Sequence, residues 1–328
     1  MRTALYGPDG FFVRERPADH FRTSAQSPHF ARAIAVLVAD VDRALGSPEV
    51  FDLVDVGAGR GELLHAVLAA LDAPLRARVR AVAVEVSARA DDAAAERGAT
   101  TGTGDTPGAD VGPGTAVSWR TELPRGLTGL LLATEWLDNV PLDLARDGSY
   151  LDTDLNPCGP LDPADAAWIE RWWPAGPDDV VEIGRSRDEA WAEAVGALDA
   201  GLALAVDYGH RRERRPILPT VTGFWNGREV PPAFDGSTDI TCHVAVDSIA
   251  ADRADRLLLD QRSALHRLGV TAQRPPLALA STDPVGYVRA LAATSEIGEL
   301  TATGGLGAHW WLAQWMNLDA KKVPFLHE

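Results

Sequence analysis

Apolar residues along this chain fall into short continuous runs separated by stretches with helical spacing. Phe51 to Val56 is an apolar run ending in glycines, which predicts a buried strand. Leu63, Leu64, Val67, Leu68 and Leu71 then recur at helical spacing, so a helix is expected over Glu62 to Leu71, opening inside the glycine-rich turn. Val79 to Val86 predicts a second strand, and strand-like runs return at Ala116 to Trp119, Leu130 to Ala133 and Leu202 to Val206. Upstream, Ser27-Pro28 starts a helix expected from about His29 to Leu45, broken by Gly46-Ser47-Pro48. A helix rich in Ala, Asp and Arg is expected after Val86, followed by a loose Gly- and Thr-rich stretch from Gly98 to Gly114. Strands of this kind alternating with helices predict a parallel sheet covered on both faces.

Between about Pro141 and Gly201 the rhythm changes. A hairpin is expected around Arg146-Asp147-Gly148-Ser149, then a helical segment carrying Trp168, Trp172 and Trp173, which together suit an inserted capping element. From Ile240 onward the pattern predicts another strand, a helix near Leu257 to Leu268, and a terminal segment with Trp310, Trp311 and Trp315.

Composition narrows the function classes. With 46% hydrophobic residues the chain can build a substantial core. Its formal net charge of -16 repels a phosphate backbone, so neither nucleic acid nor an anionic membrane is expected as partner, whereas a cationic substrate is tolerated. Cys158 and Cys242 are far apart without a CxxC partner, which suits free thiols in a reducing compartment. No signal-peptide-like or bilayer-spanning run is present, so a soluble, cytoplasmic protein is expected, either monomer or homodimer.

The segment from Asp52 to Leu63 carries the most chemistry. A strand runs into Gly57-Ala58-Gly59-Arg60-Gly61 and then into a helix, at the sheet edge where open α/β folds bind ligands. Small residues let a bulky cofactor lie against the backbone. Dinucleotide enzymes space their glycines as GxGxxG to place pyrophosphate on a helix N-terminus. Here the spacing is GxGxG and Asp55 stands beside the turn, which disfavours pyrophosphate and suits S-adenosylmethionine (SAM), with its sulfonium and ammonium groups. Glu85, at the end of the next strand, is placed to accept hydrogen bonds from ribose hydroxyls, a device NAD enzymes share.

In these and other patches the chain resembles the MidA-like SAM-dependent methyltransferases, a family that includes the mitochondrial complex I assembly factor that methylates an arginine. Asp19 to Pro28 is similar to the family's N-terminal GDFxTxPExSxxF segment, Asp55 to Gly61 to its ELGxGRG turn, and Glu85-Val86-Ser87 to its ExS element. Ala133 to Pro141 resembles ANEFFDALP, Asp207-Tyr208-Gly209-His210 its DYGH, and Asp239 to Val244 its DITAHV. Thr134 stands where the family has Asn, Asp19 and His20 depart from its GD pair, and Gly227 replaces a His of its TLRxYxxHR pattern.

The resemblance implies a class I methyltransferase fold (α/β, Rossmann-like and doubly wound), SAM as cofactor, and a protein side chain, arginine by analogy, as acceptor. It divides the chain into an N-terminal arm and helix covering the cofactor (1–46), a SAM-binding core (47–142), an inserted capping element (143–200) and the remainder of the sheet (201–328). Cofactor contacts are expected from Phe21, Thr23, Ser24, Asp55, Gly57, Ala58, Gly59, Gly61, Glu85 and Val86. SAM chemistry needs no metal, and no ligand cluster with metal-site spacing appears. Catalysis needs alignment, exclusion of water and a proton acceptor. Glu135 and Asp138 follow a strand end three residues apart and suit a bidentate clamp on a guanidinium; His210 is a candidate base, with Asp207, Tyr208, Asp239 and His243 nearby in rank. Trp119 and Trp136 suit either adenine contact or core. A small-molecule methyltransferase, a SAM-binding assembly factor without catalysis and an NAD(P)-dependent oxidoreductase are the competing readings.

Overall fold

The computed structural model describes residues 1–14, 23–86, 116–174, 176 and 178–327. Its frame is a seven-stranded sheet of β1 (Phe51–Val56), β2 (Val79–Val84), β3 (Val117–Arg120), β4 (Leu127–Thr134), β5 (Leu198–Asp207), β6 (Arg256–Asp260) and β7 (Trp310–Met316). The order is β6-β7-β5-β4-β1-β2-β3. Strands β1 to β5 run parallel to their neighbours, and β7 enters antiparallel between β5 and β6. Strand order reverses between β1 and β4, the place where open α/β sheets bind ligands outside the carboxyl ends of their strands.

Each strand sends alternate residues to opposite faces, and both faces are dry. Phe51, Leu53, Leu130, Leu132, Leu202, Leu204, Trp311 and Ala313 face one layer. That layer holds α1 (Pro28–Ala44), α2 (Glu62–Ala70) and, further along the chain, the helix Gln261–Arg267. Val54, Val56, Leu131, Ala133, Ala203, Ala205 and Leu312 face the other, which includes Trp191. The doubly wound α/β architecture expected from the sequence is present. Helix α1 begins where Ser27 caps the His29 N–H and Pro28 occupies the first turn.

The insertion is a small antiparallel sheet of Asp143–Arg146, Ser149–Leu151, Pro157–Pro160 and Val181–Ile183, covered by α3 (Pro163–Trp172). Its hairpin turns at Asp147 and Gly148, both at positive φ, as a two-residue primed turn requires. Trp168 packs into this sheet and donates from Nε1 to Asp188 on α4 (Arg185–Val195) at 2.7 Å, tying insertion to core.

One expectation needs revision. Leu257 to Asp260 is strand, not helix: β6 pairs with β7, and only at Asp260, whose carboxylate caps the Ser263 N–H, does the helix Gln261–Arg267 (α5) begin. Trp310, Trp311 and Trp315 lie on β7 itself. An apolar run of this length fits either period, and a distant pairing decided it. The helix expected after Val86 and the stretch Gly98 to Gly114 lie outside the described residues. Among the described residues no helix is long and apolar enough to cross a membrane. Cys158 is exposed, Cys242 buried, and both are free thiols.

Candidate active site

The carboxyl ends of β1, β4 and β5 and the start of antiparallel β7 meet at one sheet edge. After β1 the chain makes a left-handed bend: Gly57, Gly59 and Gly61 have φ of 73°, 55° and 73°. A Cβ on Gly57 would stand 2.7 Å from Trp136, and one on Gly61 3.3 Å from Trp119, whereas one on Gly59 would meet nothing within 4 Å. The glycines are therefore required first by backbone conformation and internal packing, and Gly59 alone faces open space. The Gly57 and Ala58 N–H groups donate to the Val84 carbonyl, and the Gly59 N–H donates to Glu85 Oε2 at 3.2 Å. Asp55 lies buried within β1; burial, then Glu85 and Glu62, push its carboxyl up to about 8. Val86 is exposed.

After β4 the chain places Glu135 at φ 51°, an unusual conformation for a residue with a side chain, held by its N–H donating to the Val206 carbonyl at 2.7 Å. The Glu135 carboxyl accepts from the Ser24 N–H at 3.0 Å. Burial pushes it up to about 8, against that hydrogen bond and with help from Asp138. Asp138 is buried; its Oδ2 accepts from the hydroxyls of Tyr208 and Thr241, and its Oδ1 has no partner. Asp207 caps the turn, accepting from the N–H groups of Leu137 at 3.0 Å and Asp138 at 3.2 Å. Asp239 receives the Asn139 amide at 3.2 Å and keeps Oδ2 unpaired. Burial, reinforced by Asp138, raises Asp207, Asp239 and the Tyr208 phenol well above their ordinary values. Tyr208 lies between His243 and His309, its ring centroid 5.4 Å and 5.5 Å from theirs.

One buried cation stands behind these acids. Arg187, on α4, is 1% exposed and donates to the carbonyls of Asp138 (2.6 Å), Val140 (3.1 Å), Cys242 (3.1 Å) and His243 (2.8 Å) and to Cys242 Sγ (2.9 Å). It is spent on holding two loops together. Among the described residues, Asp138 Oδ1 and Asp239 Oδ2 are buried without a hydrogen-bond partner, and an acidic cluster of this kind suits positive groups better than a pyrophosphate.

A family model described as "Putative S-adenosyl-L-methionine-dependent methyltransferase" matches residues 33–257, which take in the glycine bend, Glu135, Asp138 and Asp207 to His210. The chain belongs to this family. It is a SAM-dependent methyltransferase, and SAM is its cofactor. Two crystal structures from Burkholderia thailandensis share the fold of this methyltransferase. One, a protein bound to S-adenosyl-homocysteine, is 23% identical with a TM-score of 0.75 and covers 97% of this chain and 87% of its own. The other, an uncharacterised protein of the same superfamily, is 22% identical with a TM-score of 0.72 and covers 97% and 86%. No curated protein matches the chain.

Among the residues that the sequence singled out, the methyltransferase fold brings Gly57, Ala58, Gly59, Gly61 and Glu85 to the first bend, and Ser24, Glu135, Asp138, Asp207 and Tyr208 to the second. Thr23 precedes the turn Ser24–Gln26, and Phe21 lies outside the described residues. Ser24 is fully buried with its hydroxyl against the Gln261 amide, so what it presents to the site is its N–H, given to Glu135. His210 packs edge-on against Trp173 and takes a hydrogen bond from Arg215 on Nδ1 at 2.9 Å. Burial, then Arg215 and His243, bring it down to about 3, which makes it a poor proton acceptor at neutral pH. Trp119 fills the core and Trp136 covers Gly57. Gly227 forms, with Asn226, a turn at positive φ joining Thr222–Trp225 to Arg228–Val230, so a glycine there serves the hairpin. Arg187 and His309 escaped sequence reasoning, whereas Thr241 lies in the stretch that resembles DITAHV. No local pattern marks Arg187 or His309, because each reaches the site through a distant helix or strand.

Proposed function

We propose that this methyltransferase transfers the methyl of SAM to a cationic protein side chain, with arginine as the acceptor, in keeping with the MidA-like resemblance. The observation that carries the reading is the pair of buried carboxyls, Asp138 and Asp239, each with one oxygen unpaired, beside Glu135 and under the aromatic wall of Tyr208, His243 and His309. Unpaired buried carboxyl oxygens are costly, and a guanidinium fork relieves that cost by donating to several at once. The Tyr208 ring adds cation–π attraction.

For SAM, the proposed cradle is the bend Gly57-Ala58-Gly59-Arg60-Gly61 with Asp55, Glu85 and Val86, closed from the N-terminal side by Thr23 and Ser24. Gly59 provides the open approach and Glu85 the ribose-facing carboxylate. The S-adenosyl-homocysteine held by the Burkholderia fold relative supports this assignment. Bound there, SAM supplies a methyl already activated on a sulfonium sulfur. The chain's own residues then orient the acceptor and exclude water. Glu135, held by Ser24 and by its strained backbone, and Asp138, held by Tyr208 and Thr241, grip the acceptor nitrogen; Glu135 takes the proton it releases. We assign this role to Glu135 over His210, whose imidazole is so weakly basic.

Calorimetric titration tests the cofactor: SAM and S-adenosyl-homocysteine should bind and NAD should not. For the acceptor, Glu135→Ala should retain SAM affinity within a few-fold while methylation of arginine-containing peptides by the protein disappears. Methylation that persists in this variant removes Glu135 from the mechanism.

A further inference from the structure

His309 directly precedes β7. Because β7 runs antiparallel to β5, with Trp310 opposite Asp207, this residue comes to the edge where the parallel strands end. Its main chain is pinned: the carbonyl accepts from the Gln261 N–H at 2.7 Å, and the N–H donates to Leu306 O at 3.0 Å. The imidazole is buried, its Nδ1 lies 4.0 Å from Glu135 Oε1, and that nitrogen has no hydrogen-bond partner. A rigidly held, unpaired ring nitrogen facing a carboxyl of comparable burial is unusual in a core, where polar atoms are nearly always satisfied.

We propose that His309 is the positioning residue for Glu135: it receives the Glu135 proton on Nδ1 when a cation enters the site, so that the carboxylate needed to grip that cation is generated inside the protein. The inference rests on the reading of Glu135 given above. The hand-off is balanced, since the carboxyl loses one proton and becomes carboxylate while the neutral imidazole becomes imidazolium.

The two groups are suited to it. Burial pushes Glu135 up to about 8 and brings His309 down to about 4, so both are neutral at pH 7. That gap disfavours the ion pair, and attraction between opposite charges at this spacing offsets part of it. A cation against Glu135 shifts the balance further towards the charged form. The surrounding groups are Asp138 after β4, Asp207 and Tyr208 after β5, His243 ahead of its short strand, and Arg187 behind them. Asp138 disfavours a further negative charge on Glu135, which makes a nearby imidazolium the more useful.

The test is a carbon-13 NMR titration of the intact protein carrying glutamate labelled at its carboxyl carbon, with the Glu135 signal assigned by its loss in Glu135→Gln. In the wild type that signal should titrate near 8. With saturating guanidinium as the cationic probe it should fall well below 8 in the wild type and stay about one pH unit higher in His309→Leu and in His309→Asn, neither of which can hold the proton. Asn keeps a polar group of similar reach, so it decides the matter if the Leu variant fails to fold. An unchanged Glu135 titration in a folded variant overturns the proposal. The measurement needs no cofactor, and wild-type SAM binding, read separately by calorimetry, bears on the proposed function alone.

Discussion

At the scale of single residues, left-handed backbone is what this site is built on. Gly57 and Gly59 are both left-handed, but they differ in surroundings: Trp136 crowds the first and open space surrounds the second. Alanine at either position should therefore cost about 1–2 kcal/mol for conformation. Gly57→Ala should cost clearly more than that, because Trp136 must also move. Denaturant unfolding of the two variants checks this, and equal losses would refute the packing half of the account. The GxGxG string was visible in the sequence because local conformation writes itself into local residue choice. The reason inferred from it was clearance for a ligand; in the structure Gly59 borders open space, while Gly57 and Gly61 answer to two tryptophans. Glu135 was legible as an acid after a strand; its positive φ was not, since nothing in Thr134-Glu135-Trp136 announces it.

At the scale of elements, α4 joins the second bend to the segment around Cys242 through one side chain. Arg187 sits in Arg185-Ser186-Arg187-Asp188-Glu189, a charged stretch that reads as a solvated helix face, and so sequence pattern gave no reason to bury it. Its five donated bonds cannot be matched by an ammonium with three protons. Arg187→Met should destabilise the protein by about 3–5 kcal/mol, since carbonyls and nearby acids lose their buried counterpart. Arg187→Lys should recover only part of this. Urea midpoints report both, and a Met variant within about 1 kcal/mol of wild type would show that the arginine is dispensable. The helices Pro28–Ala44 and Glu62–Ala70 and the parallel strands were read well, because burial on both faces imposes continuous apolar runs, but Arg185–Val195 and Pro284–Leu300 were not. β6 and β7 were missed because their partners are far away in sequence.

For the molecule as a whole, buried acids and histidines shift stability with pH in opposite directions. Asp55 and Glu135 titrate near 8 when folded and near 4 when unfolded, so their contribution is complete below about 4 and is lost as pH rises towards 8. His210 and His309 titrate near 3 and 4 when folded against 6.5 unfolded, so their contribution is complete above 6.5 and is lost as pH falls towards 3. Between pH 6.5 and 8 only the acids among these change. Over that interval the Tm of the cofactor-free protein should fall, and the rise in Tm produced by saturating SAM should grow, because its positive charge favours the ionised acids. Scanning calorimetry at several pH values decides this, and a cofactor-free Tm that climbs through the interval would contradict it.

The antiparallel entry of β7 also bears on how the protein is made. Glu135 has His309 as a neighbour because the strand beginning at Trp310 pairs between β5 and β6. A nascent chain still short of that point on the ribosome holds the glycine bend and the acids, yet its sheet has a gap beside β5. The proposed partnership of Glu135 with His309 thus depends on a segment made long after the glycine bend and the acids.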